Sequence, residues 1–442
     1  MHSNLRIEDV STKRRRIARL AERSPELGFT SLNHLIDIDW LREAFRRTRK
    51  SGAPGVDGQT AHEYAENLEA NLQDLLKRVK SGTYRAPPVR RKHIPKGTGA
   101  ETRPIGIPTF EDKVLQRAIV MLLEPIYEQD FHDGSYGFRP QRSAHDALDV
   151  LWTETMRVGG GWILEVDLRK FFDTLDHSHI RNLVSRRIRD GVVRRLIGKW
   201  LKAGVMEDGN VHYPECGSPQ GGCISPMLAN VYLHYVLDTW FEETVKPQIA
   251  GSAKLIRFAD DFVIVFSNRN AAFQVMAMLA DRFAEYGLTV HPDKTRIVDF
   301  RHPYHSGRKR EGRPTPDTFD LLGFTHYWGK SRKGNWTVKK QTMSKRLTRT
   351  IRSIYQWCRT HRHKPVREQW QKLSQKVRGH YAYCGVTGNG RMLHNFRHEV
   401  RRAWRKWLNR RNRKRQMTWA KFERLETRYP LPLPKIYHTG HT

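Results

Sequence analysis

Cysteine is scarce in this chain. Among 442 residues there are four, Cys216, Cys223, Cys358 and Cys384, and no two of them form a C-x-x-C pair. Neither a zinc module nor a disulfide framework is expected, and a reducing compartment fits. Long apolar runs are lacking too. No uncharged stretch approaches the ~18 residues that a membrane span needs. The start is polar and basic (Ser11-Thr-Lys-Arg-Arg-Arg16) with no apolar segment behind it, so a secretory leader is not expected either. Acidic side chains are in short supply. There are 46 Asp and Glu against 79 Lys and Arg, a formal charge of +33. That excludes an ordinary metabolic-enzyme surface and points to a polyanionic partner.

The imbalance is local. Residues 331–442 hold 30 Lys and Arg against 4 Glu, whereas the first 330 hold 49 against 42. The last quarter therefore carries most of the positive field. It also holds Trp336, Trp357, Trp370, Trp404, Trp407 and Trp419, six of the twelve tryptophans. Rings interleaved with arginine can stack on bases while the arginines neutralise phosphates. Tryptophan at helical spacing is more often core, and that ordinary reading stands beside the stacking one for each ring. A hydrophobic content of 38% is enough for real cores. The length fits two or three domains of about 100–200 residues.

Residues 1–50 read as basic helix, followed by a loop at Ser51–Gly58 that is dense in turn residues. Residues 60–80 have helical periodicity through Tyr64, Leu68, Leu72 and Leu75. Val89–Ile107 alternates like a pair of strands. Glu111–Glu128 reads as a strong helix closed near Pro125. Trp162–Asp167 reads as a buried strand ending on aspartate, with a helix from about Ser178 capped by Asp176 or Ser178. Gly217–Gly222 is a glycine-rich loop before a helix through Trp240. Leu255–Phe266 reads as strand, tight turn, strand. Ala271–Tyr286 is a helix stopped by Gly287. Thr289-Val290, Arg296–Phe300 and Leu321–Thr325 read as short strands. The order between 160 and 300 fits an α+β fold: a ferredoxin-like antiparallel sheet with two helices on one face. From about 340 the chain reads as basic helix.

The tight turn in Leu255–Phe266 carries two adjacent carboxylates, Asp260 and Asp261, between apolar runs. An Asp-Asp pair in a turn is usually only a turn. If this hairpin neighbours the strand ending at Asp167, three carboxylates converge on one sheet edge. Oxygen ligands without Cys or His suit a hard cation such as Mg²⁺. Two such ions about 3.5–4 Å apart can stabilise the attacking and leaving oxygens of phosphoryl transfer.

Phe258-Ala-Asp-Asp261 resembles the reverse-transcriptase signature, which usually begins with Tyr. Asp167-Leu-Arg-Lys-Phe-Phe172 and Ser218-Pro-Gln-Gly-Gly-Cys-Ile-Ser-Pro226 resemble that family's catalytic strand and nucleotide-pocket loop. Ile94-Pro-Lys, Arg103-Pro-Ile-Gly-Ile-Pro108, Tyr136-Gly-Phe-Arg-Pro140, Gly55-Val-Asp-Gly58, Gly287-Leu with Lys294, and Leu322-Gly-Phe324 are similar to group II intron-encoded reverse transcriptases in particular. Met417-Thr-Trp and Tyr429–Ile436 resemble the short tail of bacterial members. The resemblance spans roughly residues 30–440.

It implies a right-hand polymerase with a helical thumb, the maturase X domain. The expected divisions are an N-terminal extension and fingers (1–158), palm (159–330), thumb (331–400) and a basic DNA-binding region (401–442). By motif, Asp167, Asp260 and Asp261 would be catalytic metal ligands for two Mg²⁺ ions, with Mn²⁺ as an alternative. Lys96 and Arg103 would clasp the incoming triphosphate, Phe172 would block a ribose 2′-hydroxyl, and Gln220 would line the nucleotide pocket. Lys294 would stand near the leaving pyrophosphate. Leu322 and Gly323 would grip the primer end. Ordinary readings remain beside these: a solvated basic strand for Lys96 and Arg103, a polar loop residue for Gln220, a surface lysine beside Asp293 for Lys294.

Implied partners are group II intron RNA, target DNA and dNTPs, with no membrane; a homodimer stays open. Implied activities are copying intron RNA into DNA and assisting its splicing, in the cytoplasm with the nucleoid or a ribonucleoprotein. Phe258 departs from the usual Tyr and loses a hydroxyl. No endonuclease module is expected after residue 440. A splicing factor with a dead polymerase core is one alternative, countered by the three carboxylates. A domesticated relative in CRISPR spacer acquisition or phage defence is another.

Overall fold

The computed structural model describes residues 9–95, 102–207, 210–213, 217, 221–304, 316–411 and 416–439. In chain order come α1 (Val10–Arg23), α2 (Ile38–Arg47), α3 (Ala61–Glu66), α4 (Leu68–Ser81), β1 (Val89–Pro95), β2 (Thr102–Ile107), α5 (Phe110–Asp130) and α6 (Ala144–Arg157). Then follow β3 (Trp162–Val166), α7 (Phe171–Thr174), α8 (His177–Arg187), α9 (Gly191–Leu201), β4 (Val205–Glu207), β5 (Asn210–His212) and α10 (Ser225–Leu233). After them stand β6 (Ala253–Phe258), β7 (Asp261–Phe266), α11 (Arg269–Glu285), β8 (Arg296–Asp299), β9 (Phe319–Leu321), β10 (Phe324–Lys330) and β11 (Trp336–Thr342). The last helices are α12 (Ser344–Thr360), α13 (Val366–Cys384), α14 (Gly390–Asn409) and α15 (Trp419–Arg428). Strands β6, β7, β3 and β8 form one sheet in that order, with β3 antiparallel to β8.

Two compact units result. The first comprises the residues up to Ser143, Val166–Phe262 and Phe273–Thr295. Its sheet runs β2-β1-β4-β5. The β1–β2 hairpin sets Ile94 opposite Arg103, and β4 lies parallel to β1. Helix α5, packed against α1 and α2, is buried along most of its length, and the Trp40 indole of α2 donates to the Ala118 carbonyl at 2.9 Å. A buried polar network ties α5 to α9. Trp200 Nε1 donates to Asp112 Oδ1 at 2.6 Å, and Gln116 Nε2 donates to Asp112 Oδ2 at 3.0 Å.

The second unit comprises Ala144–Glu165, Val263–Ala272 and the chain from Arg296. Its sheet runs β11-β10-β9. Helices α12 to α15 enclose a core of Leu373, Val377, Phe396, Trp404, Trp407 and Phe422. Trp404 and Trp407 are therefore core rings, Trp357 and Trp370 pack against that core, and Trp419 stands 38% exposed beneath the Arg405 guanidinium.

Four local expectations need correction. Residues 1–50 do not form continuous helix: α1 ends at Arg23 and α2 begins at Ile38. Between them, carbonyls of Ser24 and Leu27 accept from the buried Arg187 guanidinium at 2.9 and 2.8 Å, which fixes a non-helical path. The 60–80 segment is two helices that meet at Asn67, the first started by a Thr60–Glu63 capping box. Helix α5 continues through Pro125 to Asp130, because its burial outweighs one missing backbone donor. Finally, Leu321–Thr325 is not one strand: β9 ends at Leu321 and β10 begins at Phe324, with a turn between them. Leu322 and Gly323 sit between β9 and β10 with φ of 51° and 82°. Of the two candidate caps for α8, Asp176 serves, accepting from Ser178 N and His179 N at 2.7 and 3.0 Å.

Candidate active site

The β6–β7 turn is built from its flanks inward. Leu255, Ile256 and Phe262–Phe266 are buried, so both strands are anchored. Ala259 takes a left-handed conformation, φ 58°, which costs an L-residue about 1–2 kcal/mol. A fully buried guanidinium holds it there. Arg257 Nη1 donates to the Ala259 carbonyl at 3.1 Å, Nε to Asp238 Oδ1 at 2.7 Å, and Nη2 to Ser135 Oγ at 2.7 Å. The backbone of residues 134–137 lies against β6: Arg257 N donates to Gly134 O and Tyr136 N to Arg257 O, both at 2.8 Å. A Cβ on Gly137 would collide with the backbone of Phe258 and Ala259, so only glycine allows that approach. Asn230 ties the same glycine in through its carbonyl at 2.7 Å.

This turn presents Asp260 and Asp261. Asp167 follows β3 and is fixed through its backbone: its carbonyl accepts from His291 N at 2.8 Å, and Leu168 bridges Val290. That link brings Lys294 onto Asp167, with Nζ 2.7 Å from Oδ2. The lysine thus pairs with Asp167 and not with the adjacent Asp293.

The electrostatics join these groups. Burial first, then the charges of Asp260 and Asp167, push the Asp261 carboxyl up to about 6; Arg103 and Lys294 pull it down. Asp261 still has an exposed surface, so this burial is crowding by neighbouring atoms and not enclosure. Asp260 is also raised, by burial and by Asp167, against the opposing pull of Arg103 and Arg257. Three carboxylates and two cations thus act on one another within the first unit.

A divalent ion fits the chemistry of this group: the donors are all oxygen, and their mutual repulsion is relieved by positive charge. Among the described residues no three His, Cys, Asp or Glu side chains close into a ready ligand cluster. Asp167 instead rests on Lys294.

Residues 94–326 match the family described as reverse transcriptase (RNA-dependent DNA polymerase). The chain belongs to the reverse transcriptases. Their fold is that of right-hand polymerases, and they use divalent metal ions. Protein YkfC of Escherichia coli (strain K12) is 36% identical over 326 residues, 65% of this chain and 84% of that protein. Group II intron-encoded protein LtrA of Lactococcus lactis subsp. cremoris is 38% identical over 223 residues, 50% of this chain. Those residues span 36% of LtrA, so about two thirds of that protein lie outside the match. Nuclear intron maturase 2, mitochondrial, of Arabidopsis thaliana is 30% identical over 229 residues, 43% of this chain and 30% of that protein. Within that family its sequence is similar to proteins that group II introns encode.

Around the carboxylates, this reverse transcriptase brings Arg103 in on β2, exposed and electrostatically felt by both Asp260 and Asp261. Phe171 is buried while Phe172 is half-buried, the rings meeting edge-on at 5.3 Å on α7. The glycine-rich loop starts beside them: Gly217 N donates to Leu175 O at 2.8 Å, and His177 Nε2 donates to the Gly217 carbonyl at 2.6 Å. Lys96 and Gln220 lie outside the described residues. Leu322 and Gly323 belong to the second unit. The Leu322 carbonyl accepts from Tyr383 Oη at 2.7 Å and from Arg346 Nη1 at 3.2 Å.

Sequence reading passed over Arg257, Asp238 and Asn230. One signal was available: a lone arginine inside an apolar strand three residues before the acidic pair. Its partners could not be read, because they lie 19 and 27 positions away.

Proposed function

We propose that this RNA-directed DNA polymerase copies group II intron RNA into DNA during intron mobility, and that it also binds the intron RNA to assist splicing. The observation that carries the polymerase part is the cluster of Asp167, Asp260 and Asp261 with Arg103 and Lys294. The names of the intron-encoded relatives support the intron part and favour it over a CRISPR or defence role.

Asp167, Asp260 and Asp261 would hold two Mg²⁺ ions, with Mn²⁺ as a substitute. Bound there, the ions would offset the charge that develops as a primer 3′-oxygen attacks the α-phosphate. The chain's own residues do the rest. The rigid Ala259 turn fixes Asp260 and Asp261, so little reorganisation accompanies reaction. Arg103 and Lys96 clasp the triphosphate. Lys294 leaves Asp167 for the phosphates, where its charge stabilises the departing pyrophosphate. The half-buried Phe172 ring excludes a ribose 2′-hydroxyl, and Gln220 lines the pocket. Leu322 and Gly323 offer backbone to the primer end.

In domain terms, residues 1–158 are read as N-terminal extension and fingers and 159–330 as palm. The strand order β6-β7-β3-β8 supports a ferredoxin-like palm sheet. Residues 331–400 are read as thumb and 401–442 as a DNA-binding region for the target site. No helix among the described residues is long and apolar enough to cross a membrane.

The test is splicing of the intron RNA from the host of this gene at limiting Mg²⁺. Wild-type protein should accelerate it, and so should protein with Asp260→Ala and Asp261→Ala, since assistance needs binding and not chemistry. No acceleration by wild type would remove the maturase reading. In primer extension, Phe172→Ala should raise rNTP incorporation; an unchanged sugar preference would remove that role.

A further inference from the structure

A second cationic feature lies in the first unit, built from other residues than the polymerase cluster. A cavity of about 690 Å³ opens between the chain at residues 85–88 and helices α8 and α9. Pockets that bury a small-molecule-sized group fall between about 300 and 1,000 Å³. Five exposed cations line it: Arg85, Arg181, Arg194, Arg195 and Lys202. Among the described residues no Asp or Glu lines it, and no carboxylate pairs with any of the five. By contrast, Lys13 and Arg14 of α1 and Arg42, Arg46 and Arg47 of α2 each pair with a carboxylate.

The floor is apolar. Pro88, Val184 and Ile197 line it, and Gly198 leaves open space beside them, while Val211 and the Tyr213 ring pack against Gly204. At the rim stands Tyr213, a large ring that is 73% exposed. The walls are firm. Val193, Leu196, Trp200 and Leu201 bury one face of α9, and the Trp200–Asp112 hydrogen bond fixes it, which leaves Arg194 and Arg195 on the open face.

Cations without acidic partners suit phosphates. An apolar floor with an aromatic rim suits a base taken out of its stack. A duplex offers phosphates but keeps its bases stacked, so it cannot use the floor. We propose that this cavity holds one unpaired nucleotide of a bound RNA together with its flanking phosphates. The proposal rests on the RNA-binding reading above and adds a specific contact point to it.

The test uses the full-length protein and an unstructured oligouridylate of about ten nucleotides carrying 4-thiouridine. After irradiation, the peptide that contains Tyr213 should carry an adduct. Replacing Arg194→Ala with Arg195→Ala should abolish that adduct and weaken binding about tenfold. It should also lower the slope of log affinity against log salt by about one to one and a half. Duplex RNA of equal length should not compete for the adduct. Thermal melting checks that the variant is folded, and Tyr213→Ala, a rim change, should weaken binding without changing the salt slope.

Oligouridylate binding by the wild type with no Tyr213 adduct would overturn the proposal and leave the RNA-binding reading intact. So would a folded arginine variant with wild-type affinity and slope, or full competition by duplex. Failure of the wild type to bind any RNA would overturn both.

Discussion

Two hairpin turns in this reverse transcriptase place a residue with a side chain at positive φ: Ala259 before the acidic pair, and Leu322 between β9 and β10. In each, an arginine holds the carbonyl of the strained residue, Arg257 at 3.1 Å and Arg346 at 3.2 Å. The arginines differ. Arg257 is fully buried and neutralised by the buried Asp238. Arg346 lies over the Tyr383 ring at 4.2 Å, and Tyr383 shares the work with its own hydroxyl. The first turn is locked by a charge pair that water cannot reach. The second is held by contacts that can loosen one at a time. The proposed roles match this difference: a turn proposed to hold metal ligands has the former, and a turn proposed to follow the primer end has the latter.

The largest effect should come from breaking the lock. Arg257→Met leaves Asp238 buried without a partner and should cost about 3–5 kcal/mol, read as a drop in melting temperature and loss of soluble protein. Adding Asp238→Leu should restore part of that stability, because the unpaired charge is gone. Polymerase activity should not return with it, since the Ala259 carbonyl stays unheld. Next comes Arg346→Ala, which should cost about 1–2 kcal/mol and raise KM for primer–template more than it lowers kcat. Tyr383→Phe removes one of two donors to Leu322 and should cost about 1 kcal/mol. Smallest is Ala259→Gly. It relieves left-handed strain but loosens the unfolded chain, so stability should move by no more than about 1 kcal/mol, while kcat falls if turn rigidity matters. Equal effects of Arg257→Met and Arg346→Ala would erase the distinction between the turns.

Much of this was legible from residue order. The β1–β2 hairpin, the strand before Asp167 and the two strands around Asp260 all carry local patterns that burial then enforces. The proximity of Asp167 to Asp260 followed from a topological expectation, and the charge coupling between them agrees with it. Leu321–Thr325 misled because its apolar residues look strand-like, while its turn depends on Arg346 and Tyr383 from distant helices. Arg257 hid for the same reason: a buried charge is explained by partners, and its partners come from other segments. The tryptophans of the last quarter could not be sorted by spacing. Trp404 went to the core and Trp419 to the surface because four helices close around one and not the other.

The most direct test is single-turnover addition of one dNTP to a primer on an RNA template, comparing wild type with Asp260→Asn, a substitution of nearly the same shape. Loss of one carboxylate should remove about 4 kcal/mol of transition-state stabilisation, a fall of about a thousandfold, with primer–template affinity unchanged. A folded Asp260→Asn protein that adds the nucleotide at the wild-type rate would contradict the assignment of this cluster as the polymerase site.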